Sequence, residues 1–170
     1  MTTMTLDIPA CRDRDVALMR AIIMTGSVWR WHTNRAMAHV RETVADHSRH
    51  MVELHHQLFG KPSEDMEFAI RVHDAHEAFL GDLPAPAKTV HAALAVVYQV
   101  AAAKIDDENG WAVFLVNEDH DRLKFLDRLS AYLMVQRHAP AELDNGEWQT
   151  AREWLEGMAD TLDANIRGLL

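Results

Sequence analysis

Between Asp15 and Thr25 the apolar residues Val16, Leu18, Met19, Ile22 and Ile23 recur at helical spacing and Gly26 offers a stop, so the pattern predicts a first helix. The next stretch, Ser27 to Asn34, has no clear period. Trp29 and Trp31 flank Arg30 there, and such residues in a connector suggest a surface that binds something. From about Met37 to Leu58 the apolar positions Val40, Val44, Met51, Leu54 and Leu58 fall at intervals of four and three once His47 is counted in the series. His47 therefore lies on the buried stripe of a second helix. Gly60 ends that helix, and Pro62 with Ser63 opens another, where Glu64 and Asp65 suit the positive end of the helix dipole. Its stripe is Met66, Ile70, His73, Glu77 and Leu80, of which two are polar. Gly81 stops it, and Asp82 to Pro86 reads as a stiff loop.

Lys88 to Ile105 is rich in alanine and valine and apolar enough to be a central helix, followed by a turn over Asp106 to Gly110. Trp111 to Val116 would pass for a strand, but its helical neighbours favour a helix or helical turn. Glu118 to Arg137 predicts a long helix with Leu123, Leu126, Leu129 and Leu133 on one face and Asp127 among them. Pro140 breaks it. A final helix starts at Asn145 or Gly146 and carries Trp148, Ala151, Leu155, Met158, Leu162 and Leu169, read as core in preference to a subunit contact. The expectation is an all-α, single compact helical bundle over residues 1–170, with no internal repeat or linker to divide it.

Three of these helices place an imidazole or carboxylate on or beside the stripe that faces the core: His47, then His73 with Asp74, then Asp127. On a helix His73 and Glu77 stand one turn apart, while Asp74 is rotated by about 100° and still reaches an atom held between them. Any one of these groups is accounted for by an ordinary satisfied buried polar contact. All four together are more economically explained by convergence on a cation. Two imidazoles and two carboxylates suit Mn, Fe, Co, Ni or Zn, and water on such a metal ionises near neutral pH to become a nucleophile. His50, three residues after His47, is a candidate for a place behind the ligands; His39, His55, His56, His91, His120 and His138 read as surface residues.

Composition narrows the partners. The 170 residues are 48% hydrophobic and carry a formal net charge of -9, which repels a phosphate backbone and argues against a nucleic-acid duplex. No apolar run is long enough for a membrane span, the N-terminus lacks the pattern of a secretory signal, and the single Cys11 fits a reducing compartment. A cytoplasmic location is expected.

With these residues placed, the order His, adjacent His and Asp, then a distant Asp resembles the HD superfamily of metal-dependent phosphohydrolases. Arg30-Trp31, Asp46-His47-Ser48, His73-Asp74-Ala75-His76-Glu77, Gly81 to Lys88, and Asp127 to Leu133 make the likeness more specific. The text is similar to that of bacterial HD-domain 5'-deoxynucleotidases and of the related short phage enzymes that hydrolyse dATP. It covers about residues 29–133, leaving the leader and the C-terminal helix (about 145–169) less clearly matched. The resemblance implies that His47, His73, Asp74 and Asp127 bind a divalent transition metal (Zn, Co or Mn), with a second divalent ion as an option. It implies that Glu77 orients the attacking water or moves its proton, and that Asp82 protonates the leaving oxygen or holds that second ion. Arg30 and Lys88 would clamp phosphate, Trp31 would stack on base or sugar, and Thr33 would stand at a base-contacting position. Asp46 replaces a usual Glu, and the short interval from His47 to His73 favours the phage form, for which host cytoplasm is the expected location. The implied activity is hydrolysis of dATP to deoxyadenosine and triphosphate by a homo-oligomer. The alternatives are a deoxynucleoside 5'-monophosphate phosphatase, an enzyme for cyclic or signalling nucleotides, and a non-catalytic nucleotide sensor.

Overall fold

A reciprocal cap sets the start of the helix that carries His47. The Thr43 hydroxyl accepts from the Asp46 amide, and the Asp46 carboxylate accepts in return from the Thr43 amide. Such boxes satisfy two of the backbone donors that a helix leaves open at its first turn. The computed structural model describes residues 14–83 and 92–170. Within these, α1 is Arg14–Thr25, α2 Val44–Phe59, α3 Glu64–Val72, α4 the single turn Glu77–Leu80, α5 Ala92–Asn109, α6 Asn117–His138 and α7 Gly146–Thr161, with a 3-10 turn at Pro140–Asp144 before α7. No strand runs among the described residues, and the chain is an all-α single-domain bundle. None of its helices is long and apolar enough to cross a membrane.

The main core lies where α2, α3, α6 and α7 meet. Met51, Leu54, Met66, Ile70, Phe125, Leu126, Leu129 and Leu155 are all buried there. Each large side chain so buried contributes about 1.5–3 kcal/mol from apolar area alone. His47 precedes Met51 and Leu54 on the same stripe of α2, so the packing that fixes those residues also carries its imidazole inward. A smaller cluster under α1 joins Ala17, Ala21, Phe68, Val72, Ala75 and Trp111.

Several expectations need correction. The second helix begins at Val44, not near Met37. The Asn34 side chain accepts from the Ala36 and Met37 amides, which holds the preceding residues in turns, and Met37 and Val40 are buried against Val135 from there. The stretch from Glu64 to Leu80 is not continuous, because residues 73–76 form turns between α3 and α4. Residues 111–116 form no helix: Trp111 is buried with its indole N–H donating to the Ala17 carbonyl at 2.8 Å, and Ala112, Phe114 and Val116 face outward. Helix α5 runs through the expected turn to Asn109. It is not central, since Val96, Val97 and Val100 are about two-thirds exposed (59–67%), and among the described residues α5 packs against α4. The last helix ends at Thr161, after which Asp163 adopts a positive φ of 53° and Ile166 returns to the core. His55 is buried, not on the surface; its Nδ1–H donates to the Gly60 carbonyl at 2.9 Å. Cys11, the loop from Pro84 to Pro86, Lys88 and His91 lie outside the described residues.

Candidate metal centre

Helix α2 supplies His47, the turn after α3 supplies His73 and Asp74, and α6 supplies Asp127. One ligand-type atom from each of these four residues lies within 4.8 Å of the others. The two rings stand 5.5 Å apart between centroids. His47 is fully buried and its Nε2 is 2.9 Å from an Asp127 oxygen; His73 Nε2 is 2.9 Å from an Asp74 oxygen. Two imidazole–carboxylate pairs therefore face one another across a space that a cation would share. The group can hold a metal ion, and its donor chemistry fits one: the buried His73 Nε2 lies close to Asp74 but out of line for a hydrogen bond, which suits it to a ligand bond.

The far nitrogens of both rings are engaged, as ligand imidazoles require. His73 Nδ1–H donates to the Ile70 carbonyl at 2.8 Å, which leaves Nε2 as its ligand atom. His47 Nδ1 lies 3.1 Å from the Ser130 hydroxyl, and His50 Nδ1 lies 2.9 Å from the same oxygen. Without a cation, His47 Nε2–H donates to Asp127, so its Nδ1 accepts from Ser130 while His50 donates to that hydroxyl.

The electrostatics separate the two histidines. Burial, reinforced by the Arg30 charge, pushes His47 down to about 4, so it is neutral at physiological pH. Burial acts in the same direction on His73, but the Asp74 carboxylate, aided by Asp127 and the Ile70 carbonyl, overrides it and raises the group to about 9. Burial disfavours the charged forms of Asp74 and Asp127, yet their imidazole partners hold both below the ordinary carboxylate range. The metal-free centre thus holds one imidazolium and two carboxylates.

The Arg30 charge acts on His47 and Asp74, and the loop that carries Arg30 and Trp31 is bolted to the start of α2. Trp29 and Thr43 form an isolated antiparallel bridge, with Arg30 N donating to the Glu42 carbonyl and Val44 N to the Val28 carbonyl, both at 3.0 Å. Trp31 is held at φ 64°, a left-handed conformation costly for a bulky side chain. Its indole N–H donates to the buried Glu42 carboxylate at 2.6 Å. The Arg30 guanidinium lies over the Trp31 ring, with Nη1 3.9 Å from Glu42, buried and without a hydrogen-bond partner. Glu42 went unrecognised in the sequence, where it reads as one charge in a polar run before a cap. Desolvation raises its pKa against the pull of Arg30 and Trp31.

Glu77 is buried at the start of α4. Asp82 lies just beyond Gly81, and its charge, with those of Glu77, Asp74 and Asp106, acts on the Tyr98 hydroxyl. Thr33 is exposed on the loop after Trp31. Asp46 serves as the helix cap described above. A cleft of about 650 Å³ lies elsewhere, between α7 and the C-terminal tail near Arg152, Asp163 and Arg167. Compared with protein-family models and with curated proteins, the sequence matches none.

Proposed function

We propose that this chain is a metal-dependent phosphohydrolase of deoxynucleotides, acting on dATP to give deoxyadenosine and triphosphate. The observation that carries the reading is the convergence of His47, His73, Asp74 and Asp127 beside an Arg30 nitrogen that is buried and lacks a partner. Glu42 stands 3.9 Å from that nitrogen without hydrogen-bonding to it, and a phosphoryl oxygen matches the donor fork that is left. The choice of dATP rests on the motif resemblance and on the short interval between the first two ligand segments.

Zn, Co or Mn bound by the four residues would supply a water ionised near neutral pH and would draw charge from a phosphoryl oxygen. Arg30 holds the phosphate against the centre, and Trp31 offers its face to base or sugar. Glu77 takes a proton from the attacking water as its oxygen bonds to the first phosphorus. The bond from that phosphorus to the 5' oxygen breaks, and Asp82 passes a proton to the departing nucleoside. Assembly into a homo-oligomer belongs to the same reading, supported by the exposed apolar residues of α5, and light scattering tests it.

The test is incubation of metal-loaded protein with the four dNTPs, the matching dNMPs and ATP, with products resolved by ion-exchange chromatography. Deoxyadenosine and triphosphate from dATP are expected. Orthophosphate from dNMPs with inert dATP would replace the proposal with a monophosphatase, and binding without turnover would replace it with a sensor.

A further inference from the structure

We propose that Ser130 is a positioning residue that ties the ligand state of His47 to the tautomer of His50, a ring with no hydrogen bond to any of the four ligands. The consequence for metal binding rests on the four-residue centre; the pairing itself rests on geometry alone. His47 and His50 lie one turn apart on α2, and Asp127 and Ser130 lie one turn apart on α6. Where the helices face each other, these four make two rungs and a diagonal. The rungs are His47 Nε2 to Asp127 and His50 Nδ1 to the Ser130 oxygen, both at 2.9 Å, and the diagonal is His47 Nδ1 to that same oxygen at 3.1 Å. Other helical hydroxyls of this chain serve their own helix: those of Thr25, Thr150 and Thr161 donate to the carbonyl four residues back, the usual local bond for such side chains. The Ser130 hydroxyl is fully buried and, among the described residues, bonds only to the two imidazoles across the helix contact.

A hydroxyl has a single hydrogen to give. With two ring nitrogens on its oxygen, one ring must accept that hydrogen and the other must donate. Two donors would leave the hydroxyl hydrogen buried without an acceptor, and two acceptors would find one hydrogen between them. The rings are therefore held in opposite tautomers. An ion on His47 Nε2 requires that ring's proton on Nδ1, so the Ser130 hydroxyl turns to His50, which accepts at Nδ1 and carries its own proton on Nε2. Charge is conserved in the exchange: one proton leaves at His47 Nε2, one enters from solvent at Nε2 of the partly exposed His50, and the two hydrogens between the rings each move one bond towards His47. Without the hydroxyl, nothing fixes the His47 proton on the nitrogen away from the ion. Ion binding should then weaken ten- to hundredfold, the usual effect of losing the group behind a metal-bound imidazole.

The test uses the full chain with isotope-labelled histidines at mildly alkaline pH, read by long-range proton–nitrogen NMR, with Zn²⁺ affinity measured by competition with a chelator. Without metal, His47 should carry its proton on Nε2 and His50 on Nδ1; Zn²⁺ should reverse both. Ser130→Ala should bind Zn²⁺ ten- to hundredfold more weakly with an unchanged helical signal, and its His50 should no longer change tautomer when the ion binds. His50→Gln, whose amide oxygen still accepts from the hydroxyl, should keep an affinity near that of wild type, whereas His50→Phe should lose as much as Ser130→Ala. Two rings protonated on the same nitrogen in the metal-free protein, a His50 unmoved while Zn²⁺ reverses His47, or wild-type affinity in Ser130→Ala or His50→Phe would overturn the proposal. Wild type that bound no Zn²⁺ would instead refute the four-residue centre, and the tautomers of the metal-free protein would still decide the pairing.

Discussion

Binding of the first metal ion should release close to one proton per chain at pH 7, and the proton should come from His73. His47, pushed down to about 4, is already neutral, and Asp74 and Asp127 are ionised, so three of the four ligands need no deprotonation. His73, raised to about 9, is about 99% protonated at pH 7 and must lose that proton to offer Nε2. The competition weakens apparent affinity by about two powers of ten at pH 7, or about 2.7 kcal/mol. Affinity should rise about tenfold per pH unit up to about pH 9 and then level off, whereas an ordinary histidine would level off near 6.5. Isothermal titration of the first equivalent of Mn²⁺, repeated in two buffers of different ionisation enthalpy, counts the protons directly. A count near zero at pH 7, with affinity flat between pH 6.5 and 8.5, would show that the His73–Asp74 pair is not what the ion displaces.

The same pair predicts a stability optimum in the metal-free protein. His47 resists protonation when folded, so its stability is present above 6.5 and lost as pH falls towards 4; His73 retains its proton when folded, so its stability is present below 6.5 and lost as pH rises through 9. Melting in chelator should peak near pH 6.5 and lose on the order of 3 kcal/mol on each side, and a melting temperature that rises steadily from pH 5 to 9 would contradict it. Glu42→Ala should free Trp31 from its left-handed position and raise the substrate KM ten- to hundredfold, as loss of a hydrogen bond to a charged group implies, with metal content unchanged. Glu42→Gln, which still accepts from the indole, should recover part of the loss. Unaltered KM and tryptophan fluorescence in Glu42→Ala would remove Glu42 from any role in placing the clamp.

What the sequence made legible was the identity of faces. His47 in series with Met51 and Leu54, and Asp127 among the leucines of α6, were marked as inward-facing by periodicity, and the structure brings them together. Periodicity says less about what covers a face. Helix α5 is apolar on most sides, which reads as central, yet its valines are exposed. At residues 111–116 all six side chains are apolar, so no alternation in the sequence shows that Trp111, Val113 and Leu115 turn inward while the others face out. Glu42 gave no signal because its burial depends on a loop returning from fourteen residues earlier, through the contact of Val28 with α2.

The least legible feature is the one on which the centre depends. Met66, Ile70, His73, Glu77 and Leu80 continue a helical stripe without interruption, and nothing in their spacing announces a break. The break becomes intelligible from the chemistry of one side chain. His73 Nδ1–H donates to the Ile70 carbonyl, the acceptor that a continuing helix would offer to the Asp74 amide. Side-chain bonds of this kind compete with the helical ladder at the residue that makes them. The contact that fixes His73 as a ligand through Nε2 thus also engages the backbone where α3 ends. Asp74 then reaches both His47 and Asp127 on one side and His76 and Glu77 on the other. His73→Ala should therefore extend α3 through residue 76 and carry Asp74 away from His47 and Asp127, so that metal binding is lost while helical content rises, whereas Asp127→Ala should lose the ion with helical content unchanged.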